Sequence, residues 1–357
     1  MADASAMGAP ALIQVLPNHR FDEAALYRYL VGKLAGFEAG YTVRQFQGGQ
    51  SNPTYHLATP AAAYVLRKKP GGKLLPSAHA VDREYRVMSA LQDSGVPVPR
   101  MRLFCDDPAV IGAPFYVMDY LEGRIFADRS LPGVDAEHRR LVFEDMSRVL
   151  ARLHQLDPDA VGLGDYGRRQ AYIPRQIERW TAQYALARLE PEPAMDKLIV
   201  WLSAHPAIRD ESTIAHGDYR LGNLILHPNE PRIIAVLDWE LSTLGHPLAD
   251  LAYCCLPWRL PLELQGVRGL DVPGLPTEAE FVASYCRYAE RDAAPSMDFF
   301  AAFSLFRLTA IVAGVYRRAL DGNAADAQAA QAGTKFRALA QQCWLIACQE
   351  TGRGLSQ

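Results

Sequence analysis

The sequence predicts an α+β protein of two lobes, a small β-rich N-terminal one and a larger, mainly helical C-terminal one. Three observations carry that prediction. Between Tyr41 and Met118, short runs rich in Val, Tyr, Thr and Phe alternate with Gly and Pro breaks, as strands do. Beyond Gly123 the apolar residues recur at the 3.6-residue period of amphipathic helices. The 357 residues, 49% hydrophobic and 22% charged, suffice for two domains or one large bilobed one. The lobes are expected over residues 21–119 and 120–357, with the crossover near Asp119 to Gly123.

The elements follow in order. Residues 1 to about 20 read as loosely ordered. Phe21-Asp22-Glu23 opens a helix with Leu26, Leu30, Leu34 and Phe37 on one stripe. Strands are predicted over Tyr41–Gln47, Thr54–Ala58 and Ala63–Arg67, separated by Gly48-Gly49 and Thr59-Pro60. A Pro70-Gly71-Gly72 loop leads to a helix from about His79 to Gln92, then to strands near Met101–Cys105 and Pro114–Met118. Phe143, Met146, Leu150 and Leu153 mark a long amphipathic helix, and Tyr172–Leu189 marks another. A β island is expected over Ser212–Asp238, followed by helices near Leu248–Leu256, Glu278–Glu290, Met297–Leu320 and Ala325–Glu350.

Composition excludes several classes. Lys and Arg number 37 against 40 Asp and Glu, a net charge of −3 without charge runs, so a basic patch for nucleic acid or an anionic membrane is not expected. The six cysteines form no C-x-x-C pair and have no paired His spacing, which suits free thiols in a reducing cytoplasm rather than a zinc cage. Met1 to Gln14 lacks the basic start and apolar core of a signal peptide. Phe299 to Tyr316 is nearly all apolar but carries Arg307 at its middle, which marks a buried central helix rather than a membrane span.

The chemistry concentrates in His216-Gly217-Asp218-Tyr219-Arg220-Leu221-Gly222-Asn223, which runs into the apolar Leu224-Ile225-Leu226. A second acid, Asp238, ends the run Ile233 to Leu237. Phosphoryl transfer from ATP needs a carboxylate to orient an alcohol and accept its proton, and oxygen ligands for Mg²⁺ on the triphosphate. Asp218 fits the first role, and Asn223 and Asp238 the second, since hard cations choose carboxylate and amide oxygens. An isolated Asp-x-x-x-x-Asn means nothing; the His-x-Asp lead, the flanking β runs and the strand-terminal acid give it meaning.

These residues resemble the kinase-like aminoglycoside phosphotransferase superfamily, whose pattern is His-Gly-Asp-x-x-x-x-Asn, then strand-Asp-Trp-Glu, then Gly-x-Pro-x-x-Asp-Leu-Ala. The last two stand here as Leu237-Asp238-Trp239-Glu240 and Gly245 to Ala252. Tyr64 to Pro70 and Phe115 to Gly123 are similar to the branch found alone in bacteria or fused to acyl-CoA dehydrogenases in animals. The resemblance implies a protein-kinase-like fold, with residues 21–119 as the nucleotide-binding lobe and 120–357 as the catalytic and substrate lobe. It implies ATP and Mg²⁺ as cofactors, adenine held by backbone near Met118 to Tyr120, and a functional link to an acyl-CoA dehydrogenase.

A lobe of this kind places a Gly-rich turn over the phosphates, a cation on the third strand and a carboxylate on the following helix. Gly48, Gly49 and Ser51 lie in such a turn, although hairpins use Gly-Gly routinely. Arg67 ends the third strand where the kinase family often has Lys, which leaves open whether Arg67, Lys68 or Lys69 meets the nucleotide. Glu84 lies beside the apolar stripe Val81, Tyr85, Met88 and Leu91; its partner is expected to be Arg67, the bland alternative being a solvated border position.

Other residues have bland readings too. His216 is expected to brace the loop, and Asp250 to cap the next helix or brace the same loop. Arg220 could meet the transferred phosphate or make a salt bridge. No Ala-Pro-Glu follows, which argues against a protein kinase. Gly71-Gly72-Lys73-Leu74 lacks the hydroxyl and the Gly spacing of a Walker loop, Gly49 to Pro53 has Pro where a nucleophile elbow needs its second Gly, and no G-x-G-x-x-G opens a first βα unit.

The expected function is therefore Mg-ATP-dependent phosphorylation of a hydroxyl on a small molecule, by Asp218 and Arg220, with no nucleic acid and no membrane as partner. Acidic residues between Cys254 and Arg318 are balanced by arginines, which does not suit a polycationic aminoglycoside. The resemblance points instead to a hydroxyacyl-CoA or hydroxy acid. The alternatives are a non-catalytic nucleotide-binding scaffold and an aminoglycoside-resistance kinase.

Overall fold

The structure, a computed structural model, describes residues 11–47, 52–70, 80–205, 209–320, 335–350 and 352. Contacts divide the chain into two units, Met1–Ala127 with Leu221–Ser242, and Asp128–Arg220 with Thr243–Gln357. The segment Leu221–Ser242, which the sequence assigns to the C-terminal lobe, groups with the first unit.

The first unit is built on an antiparallel sheet of six strands: β1 Leu12–Ile13, β2 Thr42–Phe46, β3 Thr54–Ala58, β4 Ala63–Lys68, β5 Met101–Cys105 and β6 Phe115–Asp119, in the order β1-β2-β3-β4-β6-β5. Side chains alternate across a sheet. On one face Tyr55, Leu57, Tyr64, Leu66, Phe115 and Val117 join Leu26 and Leu30 of helix α1 (Glu23–Leu30) and Ile111 of the short α3 (Pro108–Ile111) in one buried cluster. Full burial of such a side chain stabilises by roughly 1.5–3 kcal/mol. The register Arg67↔Tyr116 puts those two residues on the opposite face, the side of α2 (Val81–Leu91).

Two expectations need correction here. Helix α1 stops at Leu30 and does not run to Phe37, because Gly32 (φ 74°) and Gly36 (φ 86°) turn the chain left-handed. Leu34 and Phe37 still enter the same cluster, so their spacing imitated a helical stripe. The stretch before residue 20 holds β1, which pairs Leu12 with Phe46, a two-residue strand too short to show a period.

The unit is completed by the hairpin β8 Leu224–Leu226 and β9 Ile233–Val236, with a 3-10 turn at Trp239–Leu241. It is tied in by Val236 N–H to Pro97 O (2.9 Å) and by a reciprocal backbone pair between Arg124 and Leu226 (2.8 Å each). Gly123 is required there, since a Cβ would lie 2.5 Å from the Leu226 carbonyl oxygen.

The second unit is helical: α4 Ala136–Gln155, α5 Tyr172–Ala187, α6 Pro193–Ala204, α7 Pro247–Arg259, α8 Glu278–Tyr288, α9 Asp298–Leu320 and α10 Phe336–Glu350. Helix α6 has no counterpart in the sequence reading. The central apolar helix is as expected: α9 is long and apolar enough to cross a membrane, but two thirds of its most apolar window (67%) is buried within the protein. It packs on α5, α7 and α10. The expected β island is two ribbons. Strand β7 (Thr213–Ala215) pairs with β10 (Thr243–Gly245) in the second unit, whereas β8–β9 belongs to the first.

Candidate active site

The first unit carries an ion-pair cluster on the α2 side of the sheet. Arg67 Nε lies 3.1 Å from Glu84 Oε2, and Arg67 Nη2 donates to Asp238 Oδ1 at 2.8 Å, with Glu240 at 4.0 Å. Glu84 is fully buried and not at a solvated border. It also accepts from Asn52 Nδ2 (2.9 Å) and from the Tyr116 hydroxyl (3.0 Å). Burial pushes its carboxyl up to about 7, against the pull of Arg67 and the Tyr116 hydrogen bond. Burial disfavours the Arg67 charge too, but Glu84 and then Tyr116, Asp238 and Glu240 outweigh it and hold the guanidinium well above its ordinary value. Lys68, the next residue on β4, faces the other way: its Nζ lies 5.7 Å from the Phe21 ring centroid. Of these two, the cation that meets Glu84 and Asp238 is therefore Arg67.

Asn223 and Asp238 stand at the same end of the β8–β9 hairpin. Leu224 pairs with Val236, and Leu237 N–H donates to the Asn223 carbonyl at 2.8 Å. Asp238 has φ 65°, a left-handed conformation that Asp tolerates better than most residues and that turns the chain straight after the strand. The hard-oxygen donors of Asn223 and Asp238 at one hairpin end fit Mg²⁺.

At the end of β6, Met118 is buried, and Tyr120 packs its ring edge-on to His56 (4.7 Å) and near Phe46 (6.4 Å). The amide N–H groups of Asp119 and Tyr120 already donate to Arg100 O (2.9 Å) and Ala63 O (3.2 Å). Adenine contacts expected from this backbone would fall to carbonyls or to residues further along. Gly48, Gly49 and Ser51 lie outside the described residues.

In the second unit the loop His216-Gly217-Asp218 is clamped from α7. The buried Asp250 accepts the His216 N–H at Oδ2 (2.7 Å) and the Gly217 N–H at Oδ1 (2.8 Å), and His154 Nε2 lies 3.2 Å from Oδ2. Gly217 has φ 83°, the conformation that lets both amides converge on one carboxylate. Burial raises the Asp250 carboxyl, but the His154 hydrogen bond and the His154 and His216 charges prevail, leaving it below the usual carboxylate range. Asp250 thus braces the loop, while His246 caps the helix through its side chain. His216 is fully buried and its Nδ1 accepts the Asp218 N–H (3.1 Å), a bracing position.

Asp218, with 15% of its side chain exposed, accepts the Tyr253 hydroxyl at 2.5 Å and pairs with Arg220 Nε at 3.2 Å. Burial and the Asp218 charge hold the Tyr253 phenol well above its ordinary value, so it remains a proton donor. Arg307 donates to the Gly217 carbonyl and stands 5.0 Å from the Tyr253 ring centroid. Sequence reasoning missed Tyr253, although its position three residues after Asp250 puts both on one face of α7. It also missed Asp238 as a partner of Arg67 and gave Arg307 no role beyond the charge balance and the middle of the apolar helix.

Residues 42–300 match the family model described as "Phosphotransferase enzyme family". The chain is 44% identical over 350 residues to acyl-CoA dehydrogenase family member 10 of Mus musculus, covering 96% of this chain and 33% of that protein. It is 43% identical over 328 residues to acyl-CoA dehydrogenase family member 11 of Homo sapiens, covering 89% and 42%. The chain thus spans well under half the length of these curated relatives. A solved structure of a putative aminoglycoside phosphotransferase from Ralstonia eutropha is 45% identical with a TM-score of 0.84, covering 92% of this chain and 99% of that one. The streptomycin–ATP complex of APH(2″)-IIa, 13% identical with a TM-score of 0.58 over 90% of this chain and 98% of that one, shares the fold.

Proposed function

The chain belongs to the phosphotransferase enzyme family, and we propose that it moves the γ-phosphoryl group of Mg-ATP to a hydroxyl of a small, partly apolar acid or acyl-CoA thioester. The observation that carries this reading is the state of Asp218: one oxygen engaged by Tyr253, the backbone before it clamped by Asp250, and the side chain still partly exposed. A carboxylate so held can orient an alcohol and take its proton as the oxygen–phosphorus bond forms and ADP leaves. A positioned base of this kind contributes on the order of 10²–10⁴ in rate.

Bound Mg²⁺ would supply charge neutralisation on the triphosphate. Asn223 and Asp238 would hold it, with Asp238 exchanging Arg67 for the metal. Arg67 would then be free to contact phosphate oxygens, kept in place by Glu84. Acyl-CoA dehydrogenase appears in the names of both relatives, which supports a hydroxyacyl-CoA or hydroxy-acid acceptor and a link to such an enzyme. The arginines around Asp218 do not suit a polycationic acceptor. None of the six cysteines is in a disulfide, and five are buried, which supports a reducing, cytoplasmic setting.

The test is an ADP-release assay with Mg-ATP and a panel of 3- and 4-hydroxyacyl-CoAs, free hydroxy acids, aminoglycosides, choline and sugars. Acceptor-dependent turnover by a hydroxyacyl compound, lost in Asp218→Asn, is expected. Turnover with aminoglycosides alone would overturn the acceptor class. Nucleotide binding without turnover of any acceptor would favour a scaffold.

A further inference from the structure

The surroundings of Asp218 carry more positive charge than the protein itself neutralises. Three guanidinium groups gather there from separate elements: Arg220 in the loop, Arg307 in the middle of α9, and Arg129 from the segment before α4. The carboxylates available are Asp218 and Asp250. Asp218 meets Arg220 and Tyr253, and Asp250 meets two loop amides and His154.

Neither Arg129 nor Arg307 has a carboxylate within ion-pair distance among the described residues, although the Asp218 charge acts on Arg129 from farther away. Arg129 donates to the Gln265 carbonyl. Arg307 donates to the Gly217 carbonyl and reaches the Tyr172 phenol, and its buried Nε, like that of Arg67, makes no hydrogen bond among the described residues. Arg307 is 8% exposed. Burial, and then the neighbouring charge of Arg220, work against the Arg129 guanidinium and hold it below its ordinary value.

Several other buried or half-buried arginines among the described residues do have carboxylate partners. Arg259 pairs with Glu278 (2.8 Å) and Asp298 (2.5 Å), Arg291 with Glu211 (2.7 Å), and Arg67 with Glu84 and Asp238. The buried Arg139 has no carboxylate partner among the described residues either, but it spends its donors on the carbonyls of Ser130, Leu131, Val134 and Pro273. A buried cation without such compensation is costly unless an anion joins it.

We propose that Arg129 and Arg307 form an anion-recognition site for the acceptor, receiving a carboxylate or phosphate carried by the molecule whose hydroxyl Asp218 orients. The proposal rests on the phosphotransferase reading for the identity of the ligand, but its own test is one of binding. The site makes a negative charge on the acceptor a requirement for affinity and places recognition on residues that take no part in proton transfer.

Calorimetric titration would compare 3- and 4-hydroxybutanoate, their neutral methyl esters, their CoA thioesters and their pantetheine thioesters. The expected result is that at least one charged form binds tenfold or more tightly than its neutral counterpart. Arg129→Gln and Arg307→Gln should each reduce that preference to threefold or less, with Arg307→Lys restoring part of it. Arg129→Gln, at a less buried position, serves if Arg307→Gln does not fold. A free acid preferred over its ester identifies a carboxylate; a CoA thioester preferred over its pantetheine counterpart identifies the CoA phosphates. Equal affinity of charged and neutral forms, absence of binding by every probe, or a preference untouched by both Gln variants overturns the proposal. A preference that depends on the arginines, without phosphate transfer by the wild type, leaves the anion site standing and defeats the phosphotransferase reading instead.

Discussion

The Arg67 cluster of the first unit and the Asp218 cluster of the second are both assemblies of charge, but their imbalances have opposite signs. Around Arg67 stand three carboxylates, Glu84, Asp238 and Glu240, for one guanidinium. Around Asp218 stand Arg129, Arg220 and Arg307, while the second carboxylate, Asp250, is consumed by the loop it braces. An acid-rich cluster with hard-oxygen donors suits a metal-bound nucleotide, and a cation-rich one suits an anionic acceptor. On the proposed reading, the excess charge at each cluster is left for the ligand it receives.

The contrast can be broken most severely at Asp218. Asp218→Asn should lower acceptor-dependent turnover about 10³-fold in a coupled assay, and full retention would remove the base from the account. Next in size is the clamp. Asp250→Asn turns an acceptor oxygen into a donor facing a loop amide, and a loss of about 3 kcal/mol in urea denaturation is expected. Loss of the Arg67 guanidinium should act on the nucleotide alone: Arg67→Met is expected to raise the KM for ATP about tenfold and leave that for the acceptor within twofold.

A further effect, on stability, concerns Glu84. Its folded-state carboxyl is raised to about 7 by burial, above its ordinary 4.5, so the folded protein keeps a proton that the unfolded chain has released. Its stabilising contribution is complete below about pH 4.5 and declines as pH rises through 7. The unfolding free energy of the wild type should fall relative to that of Glu84→Gln between pH 5 and pH 8, by on the order of 1–3 kcal/mol. A flat difference would mean that Arg67, Asn52 and Tyr116 keep the carboxylate ionised throughout.

Much of this was legible in the sequence because the signals were local. Strands β3, β4 and β6 were bounded by Gly and Pro, and the loop from His216 to Asn223 announced itself by residue type and spacing. Glu84 could be paired with Arg67 from the pattern of α2, because a carboxylate leaning on an apolar stripe needs a partner. What stayed hidden depends on distant pairing. Strand β1 needs Phe46 to exist, and β7 needs Thr243 to Gly245, neither of which leaves a periodic trace. Tyr253 looked like one more apolar residue of α7, and Arg307 like an interruption of an apolar helix, until the loop they serve was in place.

The most direct test of the division between the two clusters is titration of ATP, with and without Mg²⁺, into Asp218→Asn and Asp238→Asn. The account predicts that Asp218→Asn binds Mg-ATP within twofold of the wild type, whereas Asp238→Asn loses the part of the affinity that Mg²⁺ confers. Mg-ATP affinity lowered tenfold in Asp218→Asn, or undiminished Mg²⁺ dependence in Asp238→Asn, would contradict it.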